Sequence, residues 1–139
     1  MGKSVVVDAS FAFKLLLPNP LQKPCRAAAA EWHAQGRPLC APALWVYELT
    51  SALCKTVYFG QIAPAERREA LRLALQLGVH LFPPDTTQVE LAVEWTTRLK
   101  RAAAYDCFYL ALAETLQCEL WTTDTHLRQA AGVDWVRTI

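Results

Sequence analysis

Short apolar runs alternate with longer amphipathic segments along the whole chain. Four of these runs predict buried strands: VVV at 5–7, PLCAP at 38–42, VHLF at 79–82 and ELWT at 119–122. The final segment, DWVRTI at 134–139, is a candidate fifth strand. Runs of this length, rich in β-branched and apolar residues and bounded by Pro, Gly or Asp, are typical of strands that are buried on both faces.

The segments between the runs have helical spacing and recognisable ends. We predict a helix capped by Ser10 and ending near Leu17, and further helices over about 22–35, 43–60, 64–78, 85–102, 105–117 and 124–131. Glycines close three of them, and Pro64 stands at the first turn of the clearest one. This alternation of strands and helices predicts one α/β domain over residues 1–139, with a mainly parallel central sheet of about four or five short strands flanked by helices.

Size and composition are those of a compact protein. The chain has 139 residues, 53% of them hydrophobic, which is enough to bury a sizeable core. No window is long and apolar enough to span a membrane, and MGKSVVVDAS lacks the apolar run of a signal peptide, so we expect a cytoplasmic protein. The net charge of +1 gives no general reason to expect a nucleic-acid partner.

The five cysteines form no C-x-x-C pair, so they indicate neither a zinc site nor a disulfide framework. We expect all of them to be packing or incidental residues. Cys54 and Cys107 lie inside apolar helical patterns, and for these two we expect buried positions.

Four acidic residues lie where predicted strands and helices meet. Asp8 directly follows the first strand, and Asp124 lies two positions beyond the fourth. Glu48 is about one turn into the helix after the second strand, and Asp106 is in the first turn of the helix before the fourth. Because ligands of open α/β sheets bind at the carboxyl ends of the strands, we expect these side chains to converge there. Taken singly, each except Glu48 can also be a helix cap or a first-turn acid.

Convergence of the four carboxylates has an electrostatic consequence. Each pair ~5 Å apart repels by about 3 kcal/mol at an effective dielectric constant of ~20. Cations or raised pKa values must relieve this repulsion. A set of oxygen ligands without His or Cys favours Mg²⁺ or Mn²⁺ over zinc.

The motifs VVVDAS, AAYDCFYLALAE and LWTTDTHL, with a Glu in the helix after the second strand, resemble the PIN-domain family, especially its VapC-type toxin ribonucleases. The resemblance covers essentially the whole chain in motif order. It implies Mg²⁺- or Mn²⁺-dependent endoribonuclease activity on RNA phosphodiester bonds. It assigns the metal-binding catalytic acids to Asp8, Glu48, Asp106 and Asp124, with Ser10 and Thr122 as supporting residues. It further implies a small antitoxin partner and a homodimer.

Several other residues have candidate roles near these acids. The cations that can contact RNA are Lys55, Lys14, Arg98, Lys100 and Arg101, although each can also be an ordinary solvated charge. His126 is a candidate general acid, and we interpret Glu114 as a supporting or buried paired acid. The aromatic residues of the third predicted helix are expected in the core, with a dimer face as the alternative: Trp45, Tyr47, Tyr58 and Phe59.

Two other classes of protein are alternatives. Phospho-accepting receivers carry adjacent acids after the first strand and a late Lys-Pro, while haloacid-type phosphatases carry D-x-D. Asp8-Ala9-Ser10 matches neither pattern. A catalytically silent PIN-fold module that binds RNA or protein is the other alternative. A missing acid would indicate such a module, but all four are present.

Overall fold

The structure, a computed structural model, describes residues 4–139. Residues 1–3, which begin the segment analysed above for a signal peptide, lie outside the described residues. The described part of the chain contains five strands: β1 Val5–Val7, β2 Leu39–Pro42, β3 His80–Phe82, β4 Glu119–Thr122 and β5 Val136–Thr138. Its seven helices are α1 Ala9–Leu16, α2 Gln22–Ala34, α3 Leu44–Tyr58, α4 Pro64–Gln76, α5 Thr86–Arg98, α6 Tyr105–Leu116 and α7 Thr125–Ala131.

The five strands form one parallel sheet in the order β3-β2-β1-β4-β5. The predicted α/β class and mainly parallel sheet are confirmed. Val5 of β1 pairs with Leu39 of β2 on one side and with Glu119 of β4 on the other. The chain proceeds outward from β1 in both directions, so the strand order reverses between β1 and β4. In sheets of this kind the crevice at the reversal, beyond the carboxyl ends of the strands, is where ligands bind.

The core is centred on β1 and α6. The three valines of β1 are at most 2% exposed, as expected for a strand covered on both faces. In α6, the run from Tyr109 to Ala113 is at most 1% exposed, so this helix is buried on all sides. A helix held so completely provides a rigid support for any functional side chain at its exposed N-terminal turn.

Two helix ends differ from the prediction. Asp8, rather than Ser10, is the N-cap of α1, since its side chain accepts a hydrogen bond from the Phe11 amide. Both residue types are good caps, and only the backbone conformation distinguishes them. Helix α5 ends at Arg98, about four residues early, because Lys100 adopts a left-handed conformation with φ of 55°.

Several apolar side chains are more exposed than predicted. Trp45 is buried, but Tyr47, Tyr58 and Phe59 are 72%, 82% and 70% exposed, so core packing was the wrong expectation for these three. Cys54 is also exposed, whereas Cys107 is buried as expected. Helix α3 is apolar on nearly every side, and only one side faces the core.

Within residues 4–139, every helix is too short or too polar to cross a membrane.

Candidate functional site

Asp8 lies at the carboxyl end of β1, next to the reversal of strand order. Its Oδ1 accepts hydrogen bonds from the Ser10 hydroxyl at 2.7 Å and the Phe11 amide at 2.9 Å. Its Oδ2 accepts one from the Thr122 hydroxyl at 2.5 Å. Since each carboxylate oxygen has two lone-pair positions, Oδ2 retains one for a further ligand.

The charge of Asp8 is unfavourable in this environment. The side chain is buried, and burial raises its pKa from the ordinary 3.8 to about 6, although the three hydrogen bonds act in the opposite direction. The negative charge of Asp106 raises this pKa further. A cation beside Asp8 would relieve a carboxylate that the fold holds in a poorly solvated position.

Thr122 and Ser10 connect the ends of β1 and β4. Besides donating to Asp8, the Thr122 hydroxyl accepts the Asp124 amide at 3.0 Å. The Ser10 hydroxyl accepts the amide of Thr123 at 3.1 Å. These hydrogen bonds fix the orientation of Asp8, while the roles of Ser10 and Thr122 as supporting residues of a catalytic site stay predictions.

Glu48 is paired with a buried tyrosine. The hydroxyl of Tyr109, which is only 1% exposed, donates to Glu48 Oε1 at 2.6 Å. Burial raises the pKa of Glu48, the Tyr109 hydrogen bond lowers it, and the charge of Asp106 raises it. The pKa of Tyr109 is raised by burial and by Glu48, Asp8 and Asp106, so this hydroxyl lies in the field of all three acids. Tyr109 was not among the predicted site residues, although its position three residues after Asp106 places both on one side of α6.

The Tyr109–Glu48 hydrogen bond is expected to contribute measurably to folding stability. We predict a coupling free energy of about 1 kcal/mol or more between the two side chains, because one partner is a half-buried carboxylate. The measurement is a double-mutant cycle of Tyr109→Phe and Glu48→Ala, in which the urea unfolding of each variant is measured with a chelator present. Additive effects of the two substitutions would show that the contact contributes nothing.

Asp106 lies in the first turn of α6, and Arg101 is its partner. Arg101 Nη1 donates to Asp106 Oδ2 at 2.7 Å, and the two side chains are 27% and 42% exposed. The Asp106 carboxylate is therefore partly open to solvent and to an incoming ligand.

Asp124 contacts backbone amides in the first turn of α7. It is the N-cap of α7, where Oδ1 accepts the amides of His126 and Leu127 at 3.0 and 3.2 Å. Among residues 4–139, no group of three His, Cys, Asp or Glu side chains is arranged so that it could hold a metal ion. The predicted convergence of the four carboxylates around one divalent ion therefore stays a prediction. Asp124 turns toward a helix N-terminus, and Arg101 engages Asp106.

The remaining predicted residues fall into two groups. Lys14 and Lys55 line an open cleft of about 440 Å³ together with Ser10 and Glu48, so both cations share a cleft with one of the acids. The other group faces elsewhere. The Arg98 guanidinium lies 4.5 Å from the centre of the Trp95 ring, and Lys100 is exposed.

Glu114 and His126 are both exposed. Glu114 was predicted to be a supporting or a buried paired acid. It is exposed, so it is not buried, and it accepts the indole N–H of Trp95 at 3.1 Å. Through this hydrogen bond Glu114, on α6, holds Trp95 of α5 in place. The structure gives His126 only a backbone contact with Asp124, so its role as a general acid stays a prediction.

The parallel α/β sheet, with acidic side chains near the edge where its strand order reverses, is typical of proteins that bind a ligand at the carboxyl ends of their strands. The family model described as "PIN domain" matches residues 5–133. The chain belongs to the PIN-domain family.

Named relatives and solved structures agree with this assignment. Ribonuclease VapC9 of Mycobacterium tuberculosis is 33% identical over 123 residues, which is 88% of this chain and 87% of the relative. VapC20 of M. tuberculosis, whose structure is described as that of a sarcin-ricin loop cleaving toxin, superposes with a TM-score of 0.70 at 18% identity, covering 96% of this chain and 98% of VapC20. A toxin–antitoxin complex from Klebsiella pneumoniae contains a chain with a TM-score of 0.62 at 18% identity, covering 97% and 95%.

Proposed function

We propose that the protein is a divalent-metal-dependent endoribonuclease, the toxin of a type II toxin–antitoxin pair. The observation that carries this proposal is the electrostatic grouping of Asp8, Glu48 and Asp106 around Tyr109 at the carboxyl edge of the sheet. The name of the 33% identical relative, a ribonuclease, supports RNA as the substrate.

The donor chemistry of the site fits Mg²⁺ or Mn²⁺. All candidate ligands are carboxylate oxygens, and Asp8 Oδ2 has a free lone-pair position and an unfavourable charge to neutralise. We propose Asp8 and Asp106 as the innermost ligands, with Glu48 and Asp124 binding directly or through water. When bound, the metal supplies activation of a water nucleophile and stabilisation of the leaving 3′-oxygen. The expected products carry 5′-phosphate and 3′-hydroxyl ends.

The side chains of the protein position the reacting groups. Ser10 and Thr122 hold Asp8, and Tyr109 holds Glu48. Between Glu48 and Asp124, we propose Glu48 as the group that accepts the proton of the attacking water. Its pKa is raised, and a base whose pKa is closer to neutrality is more effective.

The RNA backbone requires cations, and Lys14 and Lys55 supply them at the cleft beside Glu48. Of the other predicted cations, all within residues 4–139, only Arg101 contacts an acid of the site, through Asp106. Arg98 packs on Trp95, so we assign it no RNA contact here. The net charge of +1 means that the attraction is local rather than a property of the whole surface.

A small antitoxin and a second copy of this chain are the proposed protein partners. Similarity to a chain of a toxin–antitoxin complex supports the antitoxin. The exposed rings of Tyr47, Tyr58 and Phe59 provide apolar surface for such contacts.

Because the proposed substrate is cellular RNA, we propose that the protein acts in the cytoplasm.

The test is RNA cleavage by purified, antitoxin-free protein. In Mg²⁺ or Mn²⁺ we expect cleavage of structured RNAs that stops with chelator and in the Asp106→Asn variant. Cleavage that continues in both cases would contradict the proposed chemistry. Binding of RNA without any cleavage would instead favour a catalytically silent PIN-fold module.

A further inference from the structure

Arg101 is held in place by the way in which α5 ends. Lys100 has a φ of 55°, a left-handed conformation that residues with a Cβ rarely adopt. Its amide donates to the Thr97 carbonyl at 3.2 Å, and the Arg101 amide donates to the Thr96 carbonyl at 3.1 Å. These two bonds form a Schellman turn without glycine. The backbone of Arg101 is therefore fixed just before α6, with its side chain directed at the first turn of that helix.

The side chain of Arg101 pairs with one of the proposed metal ligands. Its Nη1 donates to Asp106 Oδ2 at 2.7 Å. Among the ion pairs of residues 4–139, it is the one that involves any of the four acids. The guanidinium therefore partly neutralises the charge of this carboxylate.

We propose that Arg101 is the resting counter-ion of Asp106 and that it exchanges this carboxylate for an RNA phosphate when a divalent cation binds Asp106. The proposal rests on the proposed function, because it requires a metal at the acids and RNA as the ligand. A guanidinium and a divalent cation beside one carboxylate repel each other, so binding of the cation weakens the pair. The displaced guanidinium stays at the rim, since its backbone is fixed by the turn.

An RNA phosphate is the partner that the released side chain would accept. A guanidinium presents parallel N–H donors that match two phosphate oxygens, which an ammonium group does not. Metal binding would thus prepare one phosphate contact next to the reacting group. By reciprocity, RNA that engages Arg101 would tighten metal binding.

The first test is Mn²⁺ binding, measured by isothermal titration without RNA. Removing the competing charge by Arg101→Gln is expected to tighten Mn²⁺ binding about five-fold. The matched control is Arg98→Gln, which removes an equal positive charge three residues earlier in the chain. The Arg98 guanidinium packs on Trp95 instead of pairing with an acid of the site. We expect the control to bind Mn²⁺ as the unmodified protein does. Unchanged or weaker Mn²⁺ binding by Arg101→Gln would overturn the exchange.

The second test is RNA binding, measured by fluorescence anisotropy of a labelled single strand. Ca²⁺ replaces Mn²⁺ to slow cleavage, and the RNA is checked on a gel afterwards. With chelator, Arg101→Gln and the unmodified protein are expected to bind RNA equally. With Ca²⁺, the variant is expected to bind the RNA about three-fold more weakly than the unmodified protein. The slope of the logarithm of the RNA binding constant against the logarithm of the salt concentration should fall by the amount that corresponds to about one phosphate contact. An equal loss in both conditions would assign Arg101 a constant electrostatic role and contradict the exchange.

The outcomes separate this proposal from the proposed function. If the unmodified protein binds no Mn²⁺, both proposals fail. If it binds Mn²⁺ and Arg101→Gln binds equally well, only the exchange fails. Arg101→Lys keeps the charge, so we expect Mn²⁺ binding near that of the unmodified protein but weaker RNA binding in Ca²⁺. Thermal unfolding of each variant verifies that it is folded.

Discussion

Asp8→Asn is expected to abolish RNA cleavage and, in metal-free protein, to increase stability at neutral pH. The loss of cleavage follows from the loss of a proposed innermost metal ligand, and we expect at least about a 100-fold decrease in rate. The gain in stability follows from the position of Asp8 in the fold. The side chain is buried, and its charge is unfavourable there.

The direction of the pH effect can be derived from the raised pKa of Asp8. Its pKa is about 6 in the folded protein, against an ordinary value of 3.8. Between these values the folded state keeps a proton that the unfolded state has lost, so stability decreases as pH rises through this window. Above pH 6 the penalty is complete and amounts to about 3 kcal/mol. Asparagine cannot ionise and still caps α1, so the variant escapes the penalty.

The measurement combines cleavage rates with urea unfolding in chelator at pH 4.5 and 7.5. A matched control is Asp85→Asn, because Asp85 caps α5 in the same manner, accepting the Gln88 amide at 2.8 Å, but is exposed. We expect the control to retain cleavage and the pH dependence of the unmodified protein. An Asp8→Asn variant that cleaves RNA normally, or that is less stable at pH 7.5, would contradict the account of Asp8.

Leu112→Ala is expected to be among the most destabilising single substitutions in the protein. Leu112 is completely buried in α6, and its truncation leaves a cavity among residues that are themselves fully packed. The expected decrease in the free energy of unfolding is about 2–5 kcal/mol. Because α6 also carries Asp106 and Tyr109, a weakened helix also disturbs the candidate site.

Urea unfolding at constant pH measures this effect. Leu75→Ala is the matched control, since Leu75 is on α4 and is 77% exposed. We expect the control to change the free energy of unfolding by less than about 0.5 kcal/mol. Equal effects of the two substitutions would mean that α6 is not the centre of the core.

The sheet and its acidic edge follow directly from the sequence pattern. Parallel strands covered on both faces read as plain apolar runs, as VVV and ELWT do, and the segments between them are long enough for helices. Asp8 directly follows the first of these runs and Thr122 ends the second. Because the strands are parallel, both residues lie at the carboxyl edge of the sheet. The contact between them across 114 positions needed only the pairing of β1 with β4.

The sequence did not predict which side of α3 is exposed, where α5 ends or that Arg101 pairs with Asp106, because residue type alone does not determine these features. Helix α3 is apolar nearly all round, so its pattern could not show that Tyr58 and Phe59 face outward. The early end of α5 depends on Lys100 in a left-handed conformation, for which glycine would have been the usual signal. The Arg101–Asp106 pair follows from that turn, and it could not be predicted without it.

The central claim is that Asp8 and Asp106, supported by Glu48, bind a divalent metal ion. The most direct measurement is an anomalous difference map from crystals soaked in Mn²⁺. We predict a peak between the Asp8 and Asp106 carboxylates, within coordination distance of Asp8 Oδ2, with Arg101 moved away from Asp106. A map at saturating Mn²⁺ that shows no peak at these carboxylates, with the Arg101–Asp106 pair intact, would contradict the account.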